Sequence, residues 1–240
     1  MSDATKSMKG ILYLVPNLLG VAVPEAVLPA RTIDIARRLD CWRVETPKAA
    51  RAFLKSLGVS RPLADLDISP LGVDRHDVDS TLDRLDAGRD VGLLSDAGCP
   101  GVADPGAGLV AEAHAHDIRV VPLVGPSAIL LALMASGLSG QHFCFHGYLP
   151  LKSEARASAL RALEKQSRAN ARTELFIETP YRNAALLRAM VQTLAAPTRV
   201  CVAADLTLDS ETVECRSIAQ WRTEDPQRFD RRPAMFLLQA

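Results

Sequence analysis

The stretch from Val91 to Gly106 constrains the fold more than any other part of the chain. It begins with a short apolar run, Val91–Leu94, of the length expected for a buried strand. A loop rich in glycine and proline follows, and Asp104 and Pro105 then predict the start of a helix, with Asp104 as its cap. Because parallel α/β sheets bind ligands in loops after their strands, this loop is either a ligand site or a well-capped turn.

The pattern of apolar residues predicts alternating strands and helices in the first half of the chain. The predicted strands are 11–15, 41–45, a short one near 68, 91–94 and 118–124, and the predicted helices are parts of 31–39, 47–57, 78–85 and 106–116. This alternation is typical of a parallel sheet with helices on both faces. The second half predicts helices at 128–136, 154–168 and 181–194 and strands at 142–147, 175–178, 199–206, 211–215 and 234–239. We therefore expect two α/β domains, 1–125 with a mostly parallel sheet and 126–240 with a mixed sheet.

Composition limits the classes of function. Lysine plus arginine and aspartate plus glutamate both number 28, so net charge gives no support for broad nucleic-acid binding, although a local basic patch remains possible. The five cysteines show no Cys-x-x-Cys spacing, which indicates reduced thiols in a cytoplasmic protein. No apolar run approaches the length of a membrane span, so we expect no membrane partner.

Three predicted strands end in segments of the same kind. These segments are 15–17, 95–106 and 124–127, each containing proline, and the last two also containing glycine. If the strands are parallel, the three segments lie at one edge of the sheet, where a binding crevice is expected. Neither a G-x-G-x-x-G motif nor a P-loop occurs in the sequence, so the crevice is not built for a pyrophosphate.

Six motifs in order along the chain point to a known family. They are LYLVP at 12–16, SDAGCP at 95–100, ADPG at 103–106, VVPLVGPSA at 120–128, FCFHGYLP at 143–150 and LFIETPYR at 175–182. Together they resemble the tetrapyrrole methylase superfamily of S-adenosylmethionine-dependent methyltransferases. Within it, the chain is similar to the branch that contains the small-subunit ribosomal RNA cytidine 2'-O-methyltransferase. The resemblance implies two α/β domains with S-adenosyl-L-methionine in the cleft between them, and a homodimer.

The resemblance also implies roles for individual residues. Cofactor-contacting positions match Pro16, Asp96, Gly98, Cys99, Pro100, Val102, Ser127, Ala128, Ile177, Ala203, Pro233 and Ala234. Gly147 and Tyr148 match the border of the acceptor pocket. Asp96 either contacts the cofactor or forms a turn within its own loop, and Ser127 caps the helix that follows, presents its N–H to a ligand, or does both. Glu45 is the candidate catalytic residue, as a base or to orient the acceptor, with an ordinary structural role at a strand end as the alternative.

Two segments on the acceptor side depart from the family's pattern. The family branch has Thr-Pro-Ile-Gly-Asn-Leu after the first strand, where this chain has residues 17–22, NLLGVA. It has Glu-Asp-Thr-Arg after the second strand, and of these only Glu45 is kept. The methyl acceptor therefore stays open: ribosomal RNA, a small molecule such as a tetrapyrrole, or none, in a non-catalytic cofactor-binding or RNA-binding member of the fold.

A basic segment favours RNA among these acceptors. From Lys152 to Arg172 there are six basic and two acidic residues, and a helix reaching Arg172 would place four of the basic residues on one face. The candidate RNA contacts are Lys152, Arg156, Arg161, Lys165, Arg168 and Arg172. A solvated helix face is the alternative. The spacing of the five histidines predicts no metal site.

Overall fold

The structure, a computed structural model, describes residues 9–72 and 75–240. The chain divides into two compact units, one ending at Pro126 and one beginning at Ser127. Within the described residues, neither unit has a helix that is both long and apolar enough to cross a membrane.

The first unit is built around a parallel sheet. Its strands are β1 (Ile11–Val15), β2 (Cys41–Val44), β3 (Asp67–Pro70), β4 (Val91–Leu94) and β5 (Arg119–Pro122). Its helices are α1 (Pro24–Val27), α2 (Ala30–Arg38), α3 (Pro47–Ser56), α4 (Arg75–Asp86) and α5 (Ala107–Ala115), with a 3-10 turn at Leu63–Asp65. The strand order is β3-β2-β4-β1-β5, and every neighbouring pair is parallel.

Two separate cores cover the two faces of this sheet. On one face Trp42 and Val44 of the sheet are buried with Phe53 of α3, and on the other Leu93 is buried with Leu109 of α5. Both β2 and β4 are fully buried, as strands with helices on both faces should be. Strand β4 is a continuous apolar run, whereas β2 also buries Arg43. The chain leaves the neighbouring strands β1 and β4 on opposite sides of the sheet, the topology at which open α/β sheets bind ligands.

The second unit contains a mixed sheet. Its strands are β6 (Phe143–Tyr148), β7 (Thr173–Ile177), β8 (Arg199–Ala204), β9 (Thr212–Ser217) and β10 (Ala234–Gln239). Its helices are α6 (Ala128–Ser136), α7 (Ser153–Asn170), α8 (Asn183–Thr193) and α9 (Ile218–Trp221), with 3-10 turns at Pro180–Arg182 and Pro226–Phe229. The order is β6-β7-β10-β8-β9, in which β6 and β7 are parallel and the other pairs are antiparallel. The predicted fold, a parallel α/β unit followed by a mixed one, is confirmed.

Three helix ends differ in detail from what the sequence suggests. Helix α5 begins at Ala107 with Gly106 before it, so Asp104 does not cap it and Pro105 is not in its first turn. A Cβ on Gly106 would lie 2.7 Å from the Leu93 side chain, so the chain passes too close to β4 at this point for any larger residue. Ser127 precedes α6, but its hydroxyl makes no capping hydrogen bond. Helix α7 ends at Asn170, so Arg172 does not continue its basic face.

Candidate active site

Asn17 joins the loop after β1 to the loop after β4. Its backbone N–H donates to Gly98 O at 2.8 Å, and its side-chain Nδ2 donates to Ser95 O and to Asp96 O, both at 3.0 Å. The side chain is buried, at 6% exposure. Asn17 therefore fixes the start of the central loop. Sequence reasoning missed this role, since it treated Asn17 only as a departure from the family pattern.

Asp96 joins the same loop to the segment after β2. Its Oδ1 accepts from the backbone N–H of Thr46 at 3.1 Å, and its Oδ2 accepts from the Thr46 hydroxyl at 2.7 Å. In return, the Asp96 N–H donates to Glu45 Oε2 at 3.0 Å. Among the described residues, the Asp96 carboxylate accepts no hydrogen bond from its own loop. The alternative prediction, a turn that Asp96 forms within that loop, is therefore wrong. Each carboxylate oxygen still has a lone pair for a further donor.

The loop after β5 closes against the other two. A Cβ on Gly125 would lie 2.2 Å from Cγ of Pro16, so only glycine allows the Pro16 ring this close. The Cys99 thiol donates to Pro126 O at 3.4 Å, and the Thr32 hydroxyl donates to Val124 O at 2.8 Å. The three segments that were predicted to share one edge of the sheet therefore do so.

The central loop exposes backbone to this edge. Gly98 and Gly101 have φ of 69° and 78°, a left-handed conformation that glycine adopts without cost. Pro100 is buried and Cys99 half-buried, whereas Val102 is exposed. The predicted cofactor positions of the first unit thus lie together, next to Glu45.

Carboxylates give this edge a negative character. Burial, together with the charges of Glu45 and Asp96, raises the pKa of Asp104 to about 6, and the Ser95 hydroxyl partly offsets this rise. The segments 15–17, 45–46, 95–106 and 123–126 contain no lysine or arginine. The edge therefore suits a positively charged ligand better than a phosphate.

The raised pKa of Asp104 leads to a prediction about the pH dependence of the free energy of unfolding. A carboxyl whose folded pKa lies above its unfolded value stabilises the fold below about pH 4, and this contribution is lost as the pH rises through about 6. Asp104→Asn should therefore unfold with a free energy about 1 kcal/mol higher than wild type at pH 7, a value reduced for solvent screening. Urea unfolding at pH 4 and pH 7 checks this. The difference should vanish at the lower pH, and Asp34→Asn, on the exposed face of α2, should show none at either.

A groove of about 370 Å³ adjoins Asp96. Its lining is mostly apolar and comprises Asn17, Leu18, Leu19, Gly20, Val21, Ala22, Ala49, Ala52, Phe53, Ser56, Asp96 and Ala97. It therefore combines the segment after β1, which departs from the family pattern, with one face of α3. Its volume is in the range of small-ligand sites.

The second unit brings several of its predicted site residues to one end of its sheet. Ile177 and Ala203 both stand opposite Met235, one on each side of β10. Ala234 is the next residue, and Pro233 O accepts from the N–H of Asp205 at 2.9 Å. Ser127 and Ala128 lie at the start of α6. Gly147 and Tyr148 end β6, and Tyr148 is exposed.

The predicted RNA contacts differ in their exposure to solvent and in whether they pair with a carboxylate. Lys152, Arg161, Lys165 and Arg168 are exposed, and none of the four pairs with a carboxylate in the described part of the chain. Arg156 is half-buried. The Arg172 guanidinium instead donates to the buried carboxylate of Glu174 at 2.6 Å. Arg172 therefore forms an ion pair within the second unit.

Comparison with known proteins identifies the family. Residues 29–220 match the Tetrapyrrole (Corrin/Porphyrin) Methylases. Ribosomal RNA small subunit methyltransferase I of Escherichia coli O157:H7 is 33% identical over 229 residues, which cover 94% of this chain and 77% of that protein. The protein of the same name from Vibrio cholerae serotype O1 is 33% identical over 221 residues, covering 91% and 73%. The chain belongs to the tetrapyrrole methylase family, and the predicted resemblance is confirmed.

Solved structures show the same fold. The methyltransferase CobJ aligns with a TM-score of 0.62 at 18% identity, covering 96% of this chain and 94% of that one. Uroporphyrin-III C-methyltransferase from Thermus thermophilus, in its complex with S-adenyl homocysteine, aligns with a TM-score of 0.53 at 16% identity, covering 96% and 97%. At this level of identity, the likeness concerns the fold alone.

Proposed function

We propose that the chain is an S-adenosyl-L-methionine-dependent methyltransferase that acts on RNA of the small ribosomal subunit. The observation that carries the proposal is the negative edge, without lysine or arginine in its loop segments, where Asn17, Thr46 and Asp96 join three loops. Relatives named for methylation of small-subunit ribosomal RNA match this chain over more than nine-tenths of its length.

The residues at this edge fit the cofactor. S-adenosyl-L-methionine carries a sulfonium cation, an amine and ribose hydroxyls but no phosphate, and it supplies an activated methyl group. Carboxylates together with free backbone groups on a glycine-containing loop are the partners that such a ligand requires. Pro16, Asp96, Gly98, Cys99, Pro100 and Val102 would hold it in the first unit. In the second unit, the same role stays a prediction for Ser127, Ala128, Ile177, Ala203, Pro233 and Ala234.

The groove beside Asp96 is where we place the methyl acceptor. A ribose hydroxyl must lose its proton as the methyl group is transferred, so a base must reach it. Glu45 is exposed, and among the described residues its carboxylate is engaged only through Oε2, by the Asp96 N–H. Its other oxygen is free to orient the hydroxyl or accept the proton. Asp104, with a pKa of about 6, is the second candidate base. Positioning of the hydroxyl against the methyl group supplies much of the rate.

We assign RNA phosphate contacts to the exposed basic residues of the second unit, Lys152, Arg161, Lys165 and Arg168. The half-buried Arg156 is a weaker candidate, and Arg172 is not one, because it holds Glu174. We expect the protein to act in the cytoplasm as a homodimer. The free state of all five cysteines supports a reducing compartment.

A small-molecule acceptor is the second candidate. The groove is mostly apolar, and the solved structures with this fold include tetrapyrrole methyltransferases. Transfer of a labelled methyl group from S-adenosyl-L-methionine to small ribosomal subunits from a strain lacking the gene separates the two. Label in one ribose of the ribosomal RNA supports the proposal. Unlabelled RNA with intact cofactor binding would overturn the RNA assignment and favour a small molecule.

Charge reversal tests the RNA surface. The double variant Arg161→Glu/Arg168→Glu should bind ribosomal RNA at least about tenfold more weakly at physiological salt, and the slope of log affinity against log salt should fall by about two. Filter binding over a range of salt concentrations measures both quantities. Arg188→Glu/Arg222→Glu, an equal charge change at exposed positions of the same unit, is the control. Equal losses in both double variants would show a non-specific charge effect.

A further inference from the structure

Three side chains at the edge of the second unit's sheet bring together the ligand types of a zinc site. Cys144 and His146 belong to β6 and Glu174 to β7, and one ligand atom of each lies within 4.8 Å of the other two. Cys144 stands directly opposite Glu174 in the parallel pair of strands. Because residues two apart on a strand share a face, His146 lies on the same face as this pair.

An irregularity in β6 places His146. The pairing of β6 with β7 shifts register between Phe145 and Tyr148, and Gly147 has a left-handed φ of 65°. Bulges of this kind change the direction of the neighbouring side chain and are frequent beside functional sites. Here the Nε2 of His146 lies 2.6 Å from Oε2 of Glu174. The imidazole is 22% exposed, so the cluster is open to solvent.

The Glu174 carboxylate of this cluster is also fixed by an arginine, through its other oxygen. Glu174 is 0% exposed, and its Oε1 accepts from Nε of Arg172 at 2.6 Å. Nη2 of Arg172 in turn donates to Gln166 at 2.8 Å. The second oxygen of Glu174 is thereby directed towards His146 and Cys144. The Cys144 thiol makes no hydrogen bond within residues 9–72 and 75–240, so it is available as a ligand. Metal-binding side chains are commonly fixed by outer hydrogen bonds of this type.

We propose that Cys144, His146 and Glu174 bind a zinc ion. A thiolate, an imidazole and a carboxylate are the ligands that zinc takes in proteins, whereas magnesium and calcium take oxygen alone. Binding replaces the hydrogen bond between Nε2 of His146 and Oε2 of Glu174 with two metal bonds. The proton of that hydrogen bond moves to Nδ1 of the neutral imidazole, and the Cys144 thiol releases one proton to solvent as its sulfur binds the metal. Three protein ligands leave a fourth position for water. Histidine spacing alone does not show this set, because Glu174 lies 28 residues beyond His146.

Zinc titration of the metal-free full-length chain against a chromophoric chelator tests the proposal. We expect one zinc ion per chain, with one proton released. Cys144→Ser and His146→Asn should each weaken binding by at least about tenfold. With cobalt(II) in place of zinc, a thiolate-to-metal charge-transfer band should be present in wild type and absent in Cys144→Ser. Neither of these variants removes the buried Glu174, so both are expected to fold.

Two matched variants control for other thiols and histidines. Cys215→Ser removes the more accessible member of the cross-strand Cys201–Cys215 pair, and His142→Asn removes an exposed histidine next to β6. Both should bind zinc and cobalt as wild type does. Failure of wild type to bind zinc at micromolar concentrations would overturn the proposal. Loss of the cobalt band in Cys215→Ser rather than in Cys144→Ser would also overturn it, and would place the metal at the other thiols.

Discussion

Gly125→Ala should lower the free energy of unfolding by about 2 kcal/mol, since the added methyl group must displace the Pro16 ring or the backbone. The new Cβ would lie 2.2 Å from Cγ of Pro16 and 3.1 Å from Cδ2 of Leu28. Moving Pro16 also separates the loops after β1 and β5, so affinity for S-adenosyl-L-methionine should fall together with stability. Urea unfolding and calorimetry measure the two effects.

Gly108→Ala is the matched control for that substitution. Gly108 lies in α5, and a Cβ there would have no heavy atom of the described residues within 4 Å, apart from its chain neighbours and the backbone of its own helix. The same chemical change should therefore raise the free energy of unfolding by about 0.5 to 1 kcal/mol, because alanine favours a helix more than glycine does. If Gly125→Ala were as stable as wild type, the close contact between the loops would be refuted.

Asn17→Asp should destabilise the first unit by about 3 kcal/mol at neutral pH. The change conserves the shape of the side chain but removes the amide N–H groups that donate hydrogen bonds to Ser95 O and Asp96 O. It also places a buried negative charge against two carbonyl oxygens, near an edge that is already acidic. Unfolding in urea at pH 7 and pH 5 should show a smaller difference at the lower pH, where the new carboxyl takes up a proton.

Asn170→Asp provides the comparison for Asn17→Asp. Asn170 is exposed at the end of α7, where its Nδ2 donates to Gln166 O at 2.9 Å. A negative charge near a helix C-terminus costs only about 0.5 kcal/mol in such a position. Equal effects of the two substitutions would mean that Asn17 does not hold the central loop.

The arrangement of strands could be predicted from the sequence because burial leaves a simple pattern. Fully buried strands such as β4 appear as continuous apolar runs, and the loops that follow them contain proline and glycine. Helix ends were less predictable. The path of the segment before α5 is set by the close approach of Gly106 to the Leu93 side chain. This tertiary constraint overrides the preference of Asp104 for the capping position.

The hydrogen bonds that join different loops of the site could not be predicted from the sequence. The bonds of Asp96 reach Thr46, 50 positions earlier in the chain, and those of Asn17 reach Ser95 and Asp96. Glycine and proline patterns show that a loop is shaped, but they do not show which side chain holds it. The same limitation hid the engagement of Arg172 with Glu174, since both residues follow the point where α7 ends.

Calorimetric titration with S-adenosyl-L-methionine and S-adenosylhomocysteine tests the central claim most directly. We predict saturable binding of both by wild type and by the control Asp34→Ala. Asp96→Ala should stay folded but bind at least about tenfold more weakly, because it loses the acceptor for Thr46 and a candidate contact to the cofactor. Absence of binding at millimolar ligand by folded wild type, or equal affinities of wild type and Asp96→Ala, would contradict the account of the cofactor site.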